Sequence, residues 1–555
     1  MPAALPRLPM RLPLVRVAKW GVAVGLVLHA VAALRSVPGW DGTYYMVLGD
    51  SLAQGRGLLL PWGSAFQGPV WDPVQAQHFA PLWPAVLGGA YSVGGFGLAT
   101  TAAASFAVAI LFLAVVFLAT RDLLGEDKAW FVTAFASVDF FLLQMMARAY
   151  SENLVAVFYV ATIWAILKSL KDPRYVVWAG LLGGLGYLTR ASIGYFFLLA
   201  GFAGLSWRFA YMRWRVFTDR HYLAAIALFL ALVAAWSLRN VLTFGWPHWE
   251  TSPYTTGAVL YAAGSPLEFS GVLLGKVLLF AAFFALLALF LHPSLRREFR
   301  DWREEAVSAH LLAIGLPALL GLIFGAAFTV LEGSWTLFWA DNLRYVDIVF
   351  VPLLWLALRR EPLPAFAEVH WPRGWTRPSP LRVLAFLGAL AVFLLGDRMI
   401  GVVLLFGAAF APRGLPLTGR PLLALLLAFG LASVNAAVAG YLPPEHRAGE
   451  YLGTVVQDGE TIALAGNVNP YFFYVPLRGR SVDFAAWNGS AGADYLVSPD
   501  PLNASGYTLA AAFDWPGSPG PLDRLADAVL AGARAAGLLP PDTRPTPMIY
   551  VYRFL

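Results

Sequence analysis

The 555-residue chain contains no cysteine. That excludes disulfide bridges, thiolate metal sites and a cysteine nucleophile. Charge is scarce too: Asp, Glu, Lys and Arg make up 13% of the residues, against roughly 25% in an ordinary soluble domain. With 59% hydrophobic residues and a mean hydropathy of +0.64, there is no single water-soluble core to look for. Most apolar surface must meet lipid or other helices. The chain also lacks a Walker loop, an HExxH pair and a GxSxG elbow, and with them the chemistries those motifs carry. Gly183-Gly184-Leu185-Gly186 lies inside an apolar run and reads as helix packing rather than a phosphate cradle. The net charge of +6 is no sign of a nucleic-acid partner. Lys and Arg fall in short clusters between apolar runs, which is how membrane topology is written.

What is present is a succession of apolar stretches of transmembrane length. The expected spans are 17–37, 99–119, 129–147, 152–168, 175–189, 191–207, 222–241, 271–292, 308–330, 344–358, 381–396, 399–411 and 421–441, about thirteen in all. Arg7, Arg11, Arg16 and Lys19 precede the first. It resembles a signal sequence without a convincing cleavage site and is read as an uncleaved span starting in the cytoplasm. Lys168, Lys171 and Arg174 make the next basic short loop. It falls inside only if one of the stretches 81–97 and 99–119 spans. The first, opening Pro81-Leu82-Trp83-Pro84 and rich in glycine, is therefore expected to be a juxtamembrane or re-entrant helix within an outer loop at 38–98. The clusters at 208–220, 296–303, 359–377 and 413–420 then fall inside, whereas 38–80 holds only Arg56 and 245–270 has no Lys or Arg.

The odd number of spans puts the C-terminal segment outside. Its composition differs: Thr461–Ala465, Tyr495–Val497 and Met548–Tyr552 read as short strands, and 521–537 as an amphipathic helix. The expected architecture is a mainly α, polytopic membrane domain at 1–441 followed by a small extracytoplasmic α/β domain at 442–555.

This topology gathers ionisable residues on the outer side: Asp41, Asp50, Asp72 and His78 in the first loop, Arg148 and Glu152 in the turn after the third span, and Arg190 after the fifth. His248, Glu250, Glu268, Glu332, Asp341 and Arg344 follow. Charges at membrane depth are costly unless paired or wet, so such a cluster implies a cavity with a polar ligand. Each also has a plainer role. Asp41 fits a helix N-cap, and Asp50 and Asp72 fit solvated or capping residues. His78 fits a packed interfacial histidine, and Arg148 with Glu152 an i,i+4 ion pair. Arg190 and Arg344 fit snorkelling anchors. Asp139, mid-span, reads as a neutralised or paired structural residue.

The order and spacing of several short motifs resemble the GT-C superfamily of polytopic glycosyltransferases, in particular bacterial relatives of protein O-mannosyltransferases and of the lipid A aminoarabinose transferase. They are Asp41-Gly42-Thr43-Tyr44-Tyr45, Leu52-Ala53-Gln54-Gly55-Arg56-Gly57, Pro81-Leu82-Trp83-Pro84, Arg148-Ala149-Tyr150-Ser151-Glu152, Gly186-Tyr187-Leu188-Thr189-Arg190 and Arg344-Tyr345 leading to Pro352. The chain departs from the pattern in three places. Gly42 stands where many relatives carry a second acid. Phe79-Ala80, with His78 nearby, stands where many have Lys or a second Pro. Ser151 stands where Pro often precedes the Glu.

The resemblance implies transfer of a sugar from a polyprenyl-phosphate carrier to an acceptor hydroxyl on the outer face of a plasma (inner) membrane. It implies Asp41 as general base and Glu152 as a second acid, with His78, Arg148, Arg190 and Arg344 around the carrier phosphate. No cofactor is specified, and a divalent metal ion is left open. The acceptor is left open among protein, lipid and glycan. The readings from other classes are a transporter or lipid flippase, which predicts related halves that this sequence does not show, and a non-catalytic scaffold of envelope synthesis.

Overall fold

The computed structural model describes residues 10–61, 74–76, 79–190, 212–245, 350–359, 366–369, 380–395, 399, 401–405, 419–466, 468–487, 492–502, 506–514, 520–536 and 548–554. The expected spans 191–207, 271–292 and 308–330, and most of 399–411, lie outside the described residues.

Among the described residues, four helices are long and apolar enough to cross a bilayer: α1 (Leu14–Arg35), α4 (Leu98–Leu124), α7 (Glu152–Ser169) and α9 (Arg220–Phe244). Between α4 and α7 the expected third span is broken. α5 (Glu126–Ser137) and α6 (Phe140–Ala147) meet at 56°. The break belongs to Asp139, whose Oδ1 accepts the backbone N–H of Phe141 (3.1 Å) and of Leu142 (3.5 Å). Asp139 is thus the N-cap of α6, supplying acceptors to amides that a new helix leaves orphaned. The Val138 carbonyl freed by the break accepts Ser433 Oγ at 2.6 Å.

α8 (Tyr175–Thr189) is a shorter apolar helix packed on α9. A Cβ at Gly180 would overlap the backbone of Ala225, and one at Gly184 would press on Leu232. Small residues let the two backbones approach, the packing that helices in lipid favour. The remaining apolar helices are α10 (Phe350–Leu358), α11 (Pro380–Leu395) and α12 (Gly419–Ala439).

The first outer loop carries α2 (Trp40–Ala53) and α3 (Leu82–Gly94), packed on each other. α3 has 13 residues. At about 1.5 Å per residue it reaches roughly 20 Å, short of the ~30 Å hydrocarbon core. A two-stranded ribbon of β2 (Leu59–Leu60) and β3 (Val74–Gln75) lies between them in the chain.

Contacts between helix ends join segments that the charge rule assigns to one side. On the basic side, β1 (Met10–Pro13) pairs antiparallel with β4 (Phe366–Val369). There Lys128 Nζ donates to the last carbonyls of α10, Leu358 at 2.6 Å and Arg359 at 3.1 Å, and Lys168 pairs with Asp122 at 2.9 Å. On the opposite side, the Val37 N–H donates to the Tyr441 carbonyl (2.8 Å), and Arg239 donates to Ala76 O (2.7 Å) and Gln75 Oε1 (3.1 Å).

After α12 the chain forms α13 (Pro444–Val455) and a five-stranded mixed sheet of order β6-β5-β7-β9-β8. Strands form where alternation predicted them, as β5 (Thr461–Leu464), β7 (Tyr495–Ser498) and β9 (Met548–Phe554). β6 (Asp483–Ala486) and β8 (Tyr507–Asp514) were not anticipated: both are edge strands, one short and one alanine-rich. β5 runs parallel to β6 and β7, while β9 runs antiparallel to β7 and β8. Ile462, Tyr495, Val497, Ile549 and Val551 pack on Ala448 and Leu452 of α13 and on Phe473. α14 (Pro521–Ala535) returns to the membrane helices, with Ala526 buried among them. The Leu522 N–H donates to Asn435 Oδ1 of α12 at 2.9 Å.

Candidate active site

Asp41 occupies the first turn of α2, where a carboxylate meets the positive end of the helix dipole. The first turn of α2 sits directly on the turn between α6 and α7. The Gly39 N–H donates to the Arg148 carbonyl at 2.8 Å, and a Cβ at Gly42 would overlap that same oxygen. Gly42 therefore stands where a second acid has no room.

The turn 148–151 is itself constrained. Ala149 is the one non-glycine residue with a left-handed φ (56°) among the described residues, a conformation that costs on the order of 1–3 kcal/mol. Trp83, fully buried, holds it by donating Nε1–H to the Ala149 carbonyl at 2.8 Å. The Pro81-Leu82-Trp83-Pro84 motif thus braces the turn from which α7 starts. Glu152 is the first residue of α7, again a carboxylate at a positive helix end.

Arg190 closes the arrangement from the C-terminal end of α8, where a cation is favoured. Its Nη1 lies 2.9 Å from Glu152 Oε2, 3.3 Å from Asp41 Oδ2 and 3.3 Å from Ser151 Oγ, and its Nη2 lies 3.4 Å from Asp41 Oδ2. Both acids share one guanidinium. Exposure falls from 15% at the Asp41 side chain to 12% at Arg190 and 2% at Glu152, so Asp41 is the more exposed of the two carboxylates.

Two residues of this cluster were not singled out from the sequence as site residues. Ser151 Oγ lies 2.9 Å from the Tyr45 hydroxyl and donates to Glu152 Oε2 at 3.4 Å. Burial pushes the Tyr45 phenol well above its ordinary range, against the opposing pull of Arg190. Tyr45 therefore stays protonated and serves as a hydroxyl partner for Ser151. The signal for Ser151 was its departure from the proline of the motif: a hydroxyl stands where relatives have none. Ser151→Ala is expected to lower kcat about tenfold by leaving Arg190 and Glu152 one partner short, with Ser151→Thr keeping more activity. Steady-state kinetics of the two variants checks this.

Of the other expected residues, His78 and Arg344 lie outside the described residues, as do Asp72 and the loop acids from Glu250 to Asp341. Arg148 and Glu152 do not share a helix. α6 ends at Ala147 and α7 begins at Glu152, so the i,i+4 geometry does not arise, and Glu152 pairs with Arg190. The Arg148 guanidinium lies over the Tyr441 ring, 4.3 Å from its centroid.

Asp50 is not solvated but 1% exposed. It accepts from Arg478 (2.7 and 3.1 Å), Tyr474 (2.8 Å) and Gln54 (2.8 Å). No group of three His, Asp or Glu side chains among the described residues is placed to hold a metal ion. Among the described residues, Asp41 and Glu152 face the Arg190 guanidinium.

Comparison with known proteins agrees with the motifs. Residues 78–238 match the family model of dolichyl-phosphate-mannose-protein mannosyltransferases. No curated protein sequence matches the chain. The fold is similar to that of ArnT from Cupriavidus metallidurans bound to undecaprenyl phosphate, with TM-score 0.52, 15% identity and 96% of this chain covering 97% of that one. It is also similar to the Archaeoglobus fulgidus oligosaccharyltransferase in complex with Zn and sulfate, with TM-score 0.50, 13% identity and 86% of this chain covering 68% of that one. The chain resembles the GT-C glycosyltransferases in fold throughout and in sequence over the matched region. The apolar helices and this fold are those of a multi-pass membrane protein, and nothing in these matches favours a transporter.

Proposed function

We propose that the protein transfers a sugar from a polyprenyl-phosphate donor to an acceptor hydroxyl, on the outer face of a plasma (inner) membrane. The observation that carries the reading is the convergence of Asp41 and Glu152 on Arg190, at the ends of three helices, on the side opposite the basic loops. The solved fold with undecaprenyl phosphate supports a carrier of that chemistry. An isoprenoid tail needs a lipid-facing approach, which a membrane helix bundle supplies.

In this reading Asp41, the more exposed acid, takes the proton of the acceptor hydroxyl as its oxygen attacks the anomeric carbon. The bond from that carbon to the phosphate oxygen breaks, and the polyprenyl phosphate leaves. A positioned base contributes roughly 10²–10⁴-fold. Attack from the face opposite the phosphate inverts the anomeric centre. Glu152, deeper and held by Arg190 and Ser151, orients the substrate.

A guanidinium carries five N–H donors, so Arg190 can hold the carrier phosphate while it holds the acids. Arg148, Arg344 and His78 complete the phosphate's surroundings and offset the charge it gains on leaving. Residues 442–555 form an extracytoplasmic α/β domain beside the site, and the helix-end contacts support an N-terminus in the cytoplasm. The test is to supply purified protein with a panel of polyprenyl-phosphate sugars and candidate acceptors and to identify products by mass spectrometry. Sugar transfer with release of polyprenyl phosphate is the expected result. Absence of transfer across the panel, with the protein folded, overturns the reading.

A further inference from the structure

The helix that carries Asp41 is gripped from end to end by one run near the far end of the chain. That run is a 3-10 turn (Pro470–Phe473) leading directly into a single helical turn (Tyr474–Leu477), flanked by Asn469 and Arg478. At the N-terminal end of α2, Asn469 Nδ2 lies 3.3 Å from Thr43 Oγ1 and 3.5 Å from the Trp40 carbonyl, the residues on either side of Asp41. Its Oδ1 meanwhile accepts the Tyr471 N–H at 3.0 Å. Midway, the Tyr471 ring packs on Tyr44 with centroids 4.4 Å apart, and Tyr44 stacks on Phe79 at 4.8 Å. At the C-terminal end, Tyr474 and Arg478 converge on Asp50. Arg478 also lies 4.5 Å over the ring of Phe96.

These contacts fix a register. Asn469 is fully buried and Asp50 is 1% exposed. A buried amide or carboxylate is tolerated only with its partners in place, so the run can seat on α2 in one position. Burial and the Asp50 charge push the Tyr474 phenol up to about 12, so it remains a donor to Asp50.

We propose that the run from Asn469 to Arg478 is a positioning element for the reaction: it fixes α2, and through α2 the Asp41 carboxylate, against Arg190 and Glu152. This rests on the transfer reading above. It gives the segment after α12 a task separate from binding either substrate. Loss of the latch should slow turnover without weakening the donor's hold, because the phosphate's proposed ligands lie on other elements.

The test uses the full-length protein and the variants Asn469→Ala, Asp50→Asn, Arg478→Gln, Arg478→Lys and the double Asp50→Asn/Arg478→Gln. Two readouts are taken: kcat and KM for the donor, and hydrogen exchange of peptides from α2 and α7. Asn469→Ala and Arg478→Gln are expected to lower kcat about 10- to 100-fold with donor KM unchanged, and to speed exchange in α2 but not in α7. Arg478→Lys should recover part of the loss. The double variant should be no worse than the worse single, since both remove one interaction. Unchanged α2 exchange in Asn469→Ala and Arg478→Gln overturns the proposal. So does faster exchange with kcat intact, or additive losses in the double variant. If the wild-type protein transfers no sugar, the transfer reading fails on its own, and the exchange data still decide whether the run holds α2.

Discussion

Asp41→Asn is expected to lower kcat by about 10²–10⁴-fold, the range for a missing general base, while the protein folds and retains its lipid carrier. The substitution is close to isosteric. An asparagine at 41 keeps an oxygen acceptor facing the Arg190 guanidinium, 3.3 Å from Asp41 Oδ2 in the native site, and a side chain suited to the first turn of α2. What it loses is the ability to take a proton. Geometry and donor binding should therefore survive, and the loss should fall on kcat rather than KM. Turnover with a labelled lipid-linked sugar gives the first quantity, and direct binding of polyprenyl phosphate gives the second. Full turnover by the asparagine variant would remove Asp41 from the role of base. A loss confined to KM would make it a substrate-binding group instead.

A comparable collapse is expected from Gly42→Asp, although a second acid there is common among relatives. The reason is steric. The side chain would have to occupy the space of the Arg148 carbonyl, which already accepts the Gly39 N–H. Neither backbone can yield cheaply, because the turn holding that carbonyl includes left-handed Ala149, tied to buried Trp83. Overpacking of this kind costs about 1–3 kcal/mol or more, and it displaces Asp41 from Glu152 and Arg190. The variant should melt several degrees lower and lose nearly all activity, and Gly42→Ala should show the same defect in milder form. Gly89→Ala is the control: in α3 a Cβ at 89 meets nothing within 4 Å, and alanine favours a helix, so its melting temperature should not fall. A Gly42→Asp protein as stable and active as the native one would refute the close approach of α2 to the turn.

The long apolar helices among the described residues were legible because a lipid-crossing segment must be long and apolar, and such runs stand out. The short length of α3 followed from charge parity. The break at Asp139 was not read, since a mid-span carboxylate can be neutralised, paired or capping, and only the second helix start at Phe140 tells which. Asp41, Glu152 and Arg190 could be grouped without coordinates because each lies at a helix end and the charge rule puts those ends on one side. Their common guanidinium could not, because side-chain reach depends on how closely three helices approach. The i,i+4 reading of Arg148 and Glu152 applies a rule that holds within one helix, whereas a turn separates these two residues. Asp50 was misjudged because a polar loop looks solvated until something docks on it. What docks is Arg478, 428 residues away in the chain, a distance over which no local pattern carries information.

That distance also sets an order of events as the protein is made. A chain emerging from its N-terminus lays down both acids and Arg190 well before Asn469 and Arg478 exist. Until they arrive, α2 has its charges but not its support, and Asp50 lacks the cation that makes its burial tolerable. The stretch that braces the first loop is thus made long after the loop itself, so a chain that has not yet reached Arg478 is poorly equipped to hold α2 in place.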